Sequence, residues 1–340
     1  MKLYTDISGK FQMYIPINWE YKNPSFNQKI DEKRPHAFGI YGELLGAFQI
    51  SCKPVTHHIE ELIKTRKEII QSSDSEKLVF SEMYNKIDNV EMYIFSCAVD
   101  DHYFLATYTI TDRRIKLNSK YEEELNEVRK ALSSIKFVKP NFRETVIANR
   151  RFELFMTSIA AVIDLMNKAL EKECLIEYVA LSANRIDALL RLSIILSEQI
   201  ENKNDLIDTK YLFQGETDKH IMERTIYSLV LEKQIISKQI YDKLDALYKE
   251  RNKVIHRYII TDIRTEDIKR IALIYYEVGQ KIDQIISSLE QEQSEKKIGI
   301  HKNRNNLGKL EDSMLESLIS NIRDKHGNIA LDDILEKEIK

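Results

Sequence analysis

The spacing of hydrophobic and polar positions changes character near residue 140. Before this point, short segments alternate apolar and polar residues, as half-buried strands do, and two segments have helical spacing. After Lys139-Pro140-Asn141 the spacing is helical throughout. Because proline restricts the residue before it and commonly ends a helix, we place a domain boundary there. The pattern predicts an α+β domain over residues 1–139 and an all-α helical bundle over residues 141–293.

The first domain is predicted to contain an antiparallel sheet and two helices. Strand-like segments cover residues 11–17, two strands within 37–52, and a meander of 77–85, 90–99 and 103–111. The helices cover 56–72, which Thr56 could cap, and 119–137, which opens with Ser119-x-x-Glu122 as a capping box. This order of strands, helix, meander and terminal helix resembles the small α+β sandwich of PsbP-like proteins.

The second domain is predicted to consist of five long helices and to be followed by a tail. The helices cover residues 143–172, 175–200, 216–231, 237–256 and 265–291. Residues 294–340 are predicted to be a polar linker and a short amphipathic helix at 310–322, which should dock on a partner domain or a second protomer. The cluster of Lys296, Lys297, His301, Lys302 and Arg304 either contributes phosphate contacts or is simply solvated.

Composition narrows the classes of function. A net charge of -3 gives no global basic field, so nucleic acid could be bound only by a local patch. The three cysteines have neither disulfide nor metal-ligand spacing, and we predict no metal site. No signal peptide and no long uncharged run are recognisable, which favours a cytoplasmic protein without membrane contact. No glycine-rich phosphate loop or nucleophile elbow is present, and no cofactor is predicted.

The stretch from Asp245 to Tyr258 combines helical periodicity with residue types that carry chemistry. The pattern predicts one buried stripe of Leu244, Tyr248, Arg251, Ile255 and Tyr258, and a polar stripe of Asp245, Lys249, Asn252 and His256. An arginine on a buried face must find acceptors, since an unpaired buried charge is costly. The nearest candidates in sequence are Asn252 and His256.

Arg251-Asn252-x-x-x-His256-x-Tyr258 resembles the Arg-x4-His-x-Tyr signature of HEPN domains. The resemblance implies that this segment ends the third long helix of an all-α bundle, and that two protomers combine their signatures into one RNA-cleaving site. It also implies a toxin or antiviral-defence role. In related toxin pairs a nucleotidyltransferase antitoxin adenylylates the tyrosine of the signature, and Tyr258 holds the matching position here.

These residue types suit RNA cleavage without a metal. Histidine can move a proton to or from the 2′-OH or the leaving oxygen near neutral pH, so His256 is a candidate acid or base. The planar fork of Arg251 matches phosphate oxygens and could stabilise the charged phosphorane. Asn252 could orient either the imidazole or the phosphate. We therefore expect Arg251, Asn252 and His256 to be catalytic, within a homodimer whose substrate is RNA.

Two alternatives stay open. A histidine near a helix C-terminus is also favoured by the helix dipole and needs no catalytic role. The chain could thus be a non-catalytic helical module that binds protein, nucleotide or RNA. In the helix at 175–200, Asp187 and Arg191 could support the site, or form interhelix salt bridges, with Glu198 as one candidate partner of Arg191.

Overall fold

The computed structural model describes the chain in seven stretches. They are residues 1–22, 35–40, 46–75, 77–111, 121–215, 218–303 and 312–326. The N-terminal part is built on β-sheets and the C-terminal part is largely helical, as predicted. The chain divides into two compact units: Met1–Ile147 with the described residues from Ser313 onward, and Ala148–Asp312.

In the N-terminal part of the first unit, the described residues form ten strands and two helices. The strands are β1 (Lys2–Thr5), β2 (Phe11–Ile15), β3 (Trp19–Tyr21), β4 (His36–Ile40), β5 (Gly46–Pro54), β6 (Ile70–Gln71), β7 (Ser81–Ile87), β8 (Val90–Val99), β9 (His102–Thr111) and β10 (Lys136–Phe137). The helices are α1 (His57–Arg66) and α2 (Tyr121–Ser133). One sheet has the order β1-β2-β10; the other has the order β3-β4-β5-β9-β8, with β6 and β7 both paired to β8.

The predicted antiparallel meander is confirmed as β7, β8 and β9. Both predicted helices are too long. Lys67 adopts a left-handed conformation that ends α1, and Ile70–Gln71 then pairs with β8 as a parallel strand. Likewise, α2 ends at Ser133 because Lys136–Phe137 pairs with β2. Thr56 precedes α1 without a side-chain cap, and Ser119 of the predicted capping box lies outside the described residues.

A buried polar contact joins elements of the two sheets. Asp6 follows β1 and His36 begins β4, and His36 Nε2 lies 2.9 Å from Asp6 Oδ1. Burial alone would raise the pKa of Asp6, but hydrogen bonds from His36, Ser8 and the Lys10 backbone outweigh it and lower the pKa. The carboxylate therefore stays ionised inside this unit.

Five long helices are formed by the residues that the structure describes in the helical part. They are α3 (Pro140–Glu171), α4 (Leu175–Asn202), α5 (Glu223–Glu232), α6 (Lys238–His256) and α7 (Thr265–Lys296). Pro140 is the first residue of α3 and not a break before it, because the missing N–H costs nothing at that position. The two units divide between Ile147 and Ala148, within α3. Helix α5 begins at Glu223, later than the predicted 216.

Helix α4 forms the centre of the helical core. Half of its residues are buried, including Leu190, Ile194 and Leu196. It packs against α5, α6 and α7, so side chains from these helices meet around it. No helix of the described chain combines the length and the apolarity that a membrane span requires.

The predicted linker after residue 294 is wrong for its described part. Helix α7 continues to Lys296, and the chain then folds back onto the helical core. The buried amide of Gln293 accepts from the His301 backbone at 3.2 Å and donates to the Leu196 carbonyl at 3.1 Å. Gly299 has a φ of +77°, and a Cβ there would lie 2.5 Å from Gln293. This segment is therefore specifically packed.

The same packing changes the predicted basic cluster. Lys296 forms an ion pair with Glu292, Lys302 pairs with Asp205, and His301 lies 3.5 Å from Glu290. Arg304 lies outside the described residues. The cluster is largely neutralised by neighbouring carboxylates, which weakens it as a phosphate-binding patch.

The predicted C-terminal helix is present as α8 (Asp312–His326) and docks on the first unit of its own chain. Ser320 is buried; its hydroxyl donates to the Ile17 carbonyl at 2.7 Å and accepts from Lys2 Nζ at 3.1 Å. Of the two docking partners considered, the structure thus shows a domain of the same chain.

Candidate functional site

Helix α6 carries Arg251, Asn252 and His256 in its last two turns. Ser237 caps its start by accepting from the Ile240 N–H at 3.4 Å. The helix ends at His256, because Arg257 leaves helical geometry with a φ of −132°. Tyr258 was predicted on the same helix and instead begins a 3₁₀ turn, Tyr258–Ile260. The β-branched residues Ile259, Ile260 and Thr261 do not favour a longer helix.

The buried side of α6 differs from the predicted stripe. Leu244 is buried as expected, but the other buried positions are Leu247 and Val254. Ile255 is 39% exposed and Tyr258 is 42% exposed. The helix is thus turned so that Arg251 lies at the margin of the buried face, with 14% of its side chain exposed.

Arg251 is held by contacts on several sides. Its Nη1 donates to Glu223 Oε2 at 2.6 Å, and its Nη2 donates to Asn252 Oδ1 at 3.1 Å. Its guanidinium carbon lies 4.8 Å from the centre of the Tyr248 ring, within cation–π range. Asn252 is therefore a partner of Arg251, as predicted, whereas His256 is not. Glu223, which sequence reasoning missed, is the principal counter-ion.

Glu223 is the first residue of α5, where a negative charge is favoured by the helix dipole. Its carboxylate also accepts from the Tyr227 hydroxyl one turn later. Burial would lower the pKa of Arg251, but the hydrogen bond and charge of Glu223 outweigh it and raise the pKa. Burial and the nearby Glu223 raise the pKa of Tyr227, so its hydroxyl remains a proton donor. In this part of the site a charged guanidinium and a protonated hydroxyl both donate to the Glu223 carboxylate.

A second ion pair, on α4, adjoins this network. Arg191 Nε donates to Asp187 Oδ2 at 2.7 Å, and Arg191 Nη2 donates to the Ile221 carbonyl at 2.9 Å. Glu198, one of the two possibilities considered for Arg191, is not its partner, since the one-turn spacing to Asp187 brings the charges closer. Asp187 lies close enough to Glu223 and Arg251 for their charges to act on it.

Asp187 is the least satisfied member of the cluster. Its Oδ1 is buried and has no hydrogen bond to a described residue. Burial raises the pKa of its carboxyl despite the hydrogen bond from Arg191, and the negative charge of Glu223 adds to the rise. Asp187 thus interacts electrostatically with Arg251 and Glu223 and has capacity for one more hydrogen bond.

His256 projects away from the Arg251 network. Its side chain is exposed and has no hydrogen bond or ion pair within the described part of the chain. It lies one helical turn beyond Asn252 and about 140° around the helix from Arg251. The structure therefore brings Arg251, Asn252, Asp187 and Arg191 into one region and leaves His256 and Tyr258 on an open surface.

That open surface is apolar around His256. Ile259 is 94% exposed and Ile260 is 78% exposed, next to the half-exposed Ile255 and Tyr258. Isolated exposed apolar residues are common, but a contiguous group of large ones is typical of an interaction surface. We call Ile255, Tyr258, Ile259 and Ile260 the apolar end of α6.

The described residues contain no cluster of three or more His, Cys, Asp or Glu side chains that could hold a metal ion. A cleft of about 540 Å³ opens elsewhere in the helical unit, and its walls include Ser197, Lys233, Lys281 and Ile285. Its lining does not include the signature residues. The candidate chemistry therefore rests on side chains at an exposed helix end.

Comparison with known proteins gives no family. No family model matches the chain, and no curated protein matches it. Among solved structures, a crystal structure from Bacteroides thetaiotaomicron VPI-5482 aligns over 75% of this chain and 79% of its own, with 12% identity and a TM-score of 0.29. A score this low supports no structural inference. The HEPN-like and PsbP-like resemblances thus remain predictions.

Proposed function

We propose that this protein is a metal-independent endoribonuclease of the HEPN type that acts as a homodimer, with Arg251, Asn252 and His256 at a composite site. One observation carries the proposal: Arg251 and Asn252 are fixed at a helix end whose next turn presents an exposed imidazole with no partner among the described residues. A toxin or antiviral-defence role follows from the same resemblance.

The contacts of Arg251 leave it able to bind a phosphate. Its guanidinium carries more N–H donors than Glu223 and Asn252 occupy. An RNA phosphate at its exposed edge could accept two of them in the planar geometry that arginine favours. Glu223 would keep the guanidinium oriented, and Asp187 and Arg191 would support it from α4. These roles need no change in the fold of the helical unit.

His256 supplies the proton transfer. Its imidazole has no hydrogen bond or ion pair with a described residue, so it could approach a 2′-OH or a leaving 5′ oxygen without breaking such a contact. Within one chain it lies about 140° around the helix from Arg251 and is not bonded to it, so we propose that one phosphate is held by groups from two protomers. A second copy, docked through the apolar end of α6, would bring the His256 of one chain towards the Arg251 of the other.

The apolar end of α6 gives this dimer a direct test. We expect the double substitution of Ile259→Asp and Ile260→Asp to weaken dimerisation by about a hundredfold or more, because it removes apolar burial and places charges in the contact. Because Ile259 and Ile260 are exposed, we expect the two substitutions to leave the fold of the monomer unchanged. Sedimentation velocity measures the effect, with Leu206→Asp, another exposed position of the helical unit, as the matched control. Equal association of all variants would exclude this surface as the interface.

The same surface makes Tyr258 accessible to a partner enzyme. Its ring is 42% exposed and lies outside the helix. As part of the proposal, this is the hydroxyl that an antitoxin nucleotidyltransferase would adenylylate. A bulky, negatively charged group there would also oppose docking through the apolar end of α6, which offers a physical route to inhibition.

The catalytic proposal is tested by incubating purified protein with RNA in EDTA and analysing the fragment ends. We expect fragments with cyclic or 3′ phosphates, because attack by the 2′-OH leaves the phosphate on that side. Cleavage that disappears in EDTA, or that leaves 5′ phosphates, would contradict the proposal. The test does not depend on knowing the natural RNA.

A non-catalytic binding module is the second candidate. It is favoured by the ion pair between Arg251 and Glu223, which already neutralises the arginine inside a single chain. In that case the signature residues would stabilise the helical unit and the apolar end of α6 would bind a partner. Retained RNA binding with no cleavage, at any protein concentration that forms dimers, would favour this candidate.

A further inference from the structure

Strand β7 (Ser81–Ile87) forms an edge of the larger sheet. It pairs along its full length with β8 on one side, and no strand of the described chain pairs with its other side. All seven of its residues are exposed. An open edge strand of this length is a template for another strand, and proteins normally shorten, bend or cover such edges.

The β7–β8 turn determines which backbone groups of β7 point outward. Only Asp88 and Asn89 separate the strands, so Ile87 and Val90 form the hydrogen-bonded closing pair of the hairpin. Hydrogen-bonded and non-hydrogen-bonded pairs alternate along an antiparallel ladder. Glu82, Tyr84 and Lys86 therefore direct their N–H and C=O groups away from β8, towards the open edge.

We propose that β7 pairs antiparallel with β7 of a second copy of this chain, in the register centred on Tyr84. In this register Tyr84 faces its own symmetry mate, and Glu82 faces Lys86 of the second copy at both ends. The three residues with outward backbone groups then face one another across the new ladder, and both charge pairs are attractive. The edge is thus complementary to itself under a twofold axis.

Other registers lose this match. A shift that centres the pairing on Glu82 or on Lys86 places like charges directly opposite each other, which is destabilising. Centring the pairing on Met83 or Asn85 keeps outward groups opposite each other but places Tyr84 opposite Glu82 or Lys86, so both attractive charge pairs are lost. Sliding one strand by a single residue instead places its outward groups opposite inward ones of the other strand. Centring on Tyr84 also joins the largest number of outward residues. Register and charge therefore favour the same arrangement.

The existing contacts of these side chains permit the pairing. Glu82 lies 2.6 Å from Arg129, and Lys86 lies 3.3 Å from Glu91. Both ion pairs are at the surface, where such pairs contribute little. A carboxylate can accept, and an ammonium can donate, more than one hydrogen bond. The half-exposed Met83 and Ile87 would lose solvent contact on the joined sheet.

This inference is independent of the proposed ribonuclease function, because it concerns only the sheet unit. Its first test is a charge swap in the full chain, followed by sedimentation. We expect Glu82→Lys or Lys86→Glu alone to weaken this association about tenfold, since each creates two like-charge pairs. The double variant Glu82→Lys/Lys86→Glu should recover wild-type association.

The swap isolates the contact between chains. In the double variant Arg129 and Glu91 each face a like charge, so these two ion pairs within the chain cannot cause the recovery, and we expect it to come from the second copy. All proteins compared in this experiment also carry Ile259→Asp and Ile260→Asp in the apolar end of α6. These substitutions prevent the proposed helical dimer from contributing to the measured association. A double variant that associates no better than the single ones would overturn the proposal.

Cross-linking tests the register itself. Met83 would face Asn85 of the second copy in a non-hydrogen-bonded pair, where Cα atoms are about 4.5 Å apart and a disulfide fits. We expect a mixture of Met83→Cys and Asn85→Cys proteins, both with Cys174→Ser, to form a mixed disulfide far faster than either protein alone. Met83→Cys with Ile87→Cys, offset by two residues, is the control. Equal rates for all mixtures would refute the register.

Discussion

Replacing His256 by alanine is expected to lower metal-independent RNA cleavage by about 10²–10⁴-fold, the usual contribution of general acid–base catalysis. The same change should leave the free energy of unfolding within about 0.5 kcal/mol of the wild type. His256 is exposed and has no hydrogen bond or ion pair with the residues that the structure describes, so its loss removes little from the fold. Cleavage rates in EDTA and urea unfolding curves measure the two effects.

His220→Ala is the matched control for this experiment. His220 is also an exposed histidine of the helical unit, and it lies 3.3 Å from Gln214, outside the signature. Its replacement should change neither cleavage nor stability. If His256→Ala cleaves RNA as fast as the wild type, the imidazole is not the acid or base, and the binding-module candidate becomes the better one. A large loss of stability would instead show a structural role that the exposure does not predict.

The location of helix α6 could be predicted from sequence, but its orientation could not. The periodicity placed a helix at 237–256, and the structure has Lys238–His256 with Ser237 as its cap. Several apolar stripes can be drawn on one amphipathic helix, and the neighbouring helices decide which of them is buried. Here Leu247 and Val254 are buried, whereas Ile255 is exposed.

The counter-ion of Arg251 could not be predicted from the sequence either, because it too depends on how the helices pack. Glu223 is 28 residues away along the chain and on a different helix. A requirement for an acceptor could be stated from the sequence, but the choice of acceptor depends on how α5 packs against α6. The pair Asp187 and Arg191 could have been predicted, because a spacing of four residues is that of a helical ion pair, but Glu198 was the partner considered for Arg191.

In the sheet unit, long elements were predictable and short ones were not. The strands β7, β8 and β9 of the meander are long enough for their alternation of apolar and polar residues to be recognised in the sequence. β6 and β10 have two residues each and exist because a neighbouring strand offers them hydrogen bonds. Such strands carry no periodic signal of their own. The packed segment after α7 was missed similarly, since its order depends on Gln293 and Gly299.

Replacing Arg251 by methionine should cost the helical unit about 3 kcal/mol of stability. The change keeps the length of the side chain but leaves the carboxylate of Glu223 in a mostly buried position, with the Tyr227 hydroxyl as its remaining donor. Removing one partner of such a pair is costly because the other charge stays behind. Loss of activity in an Arg251 variant alone would therefore not separate catalysis from folding.

The companion substitution Glu223→Gln makes the prediction specific. In the double variant Arg251→Met/Glu223→Gln no charge is left unpaired, so we expect about half of the lost stability to return.

Urea unfolding followed by helical circular dichroism measures the second unit, while fluorescence of Trp19, the only tryptophan, follows the sheet unit and should not change. Additivity of the two single effects within about 0.5 kcal/mol would show that the pair is not coupled. If the two effects are coupled and Glu223→Gln leaves the affinity for RNA unchanged, then Glu223 acts by holding Arg251 in place. In that case Arg251 itself is the residue that binds the phosphate.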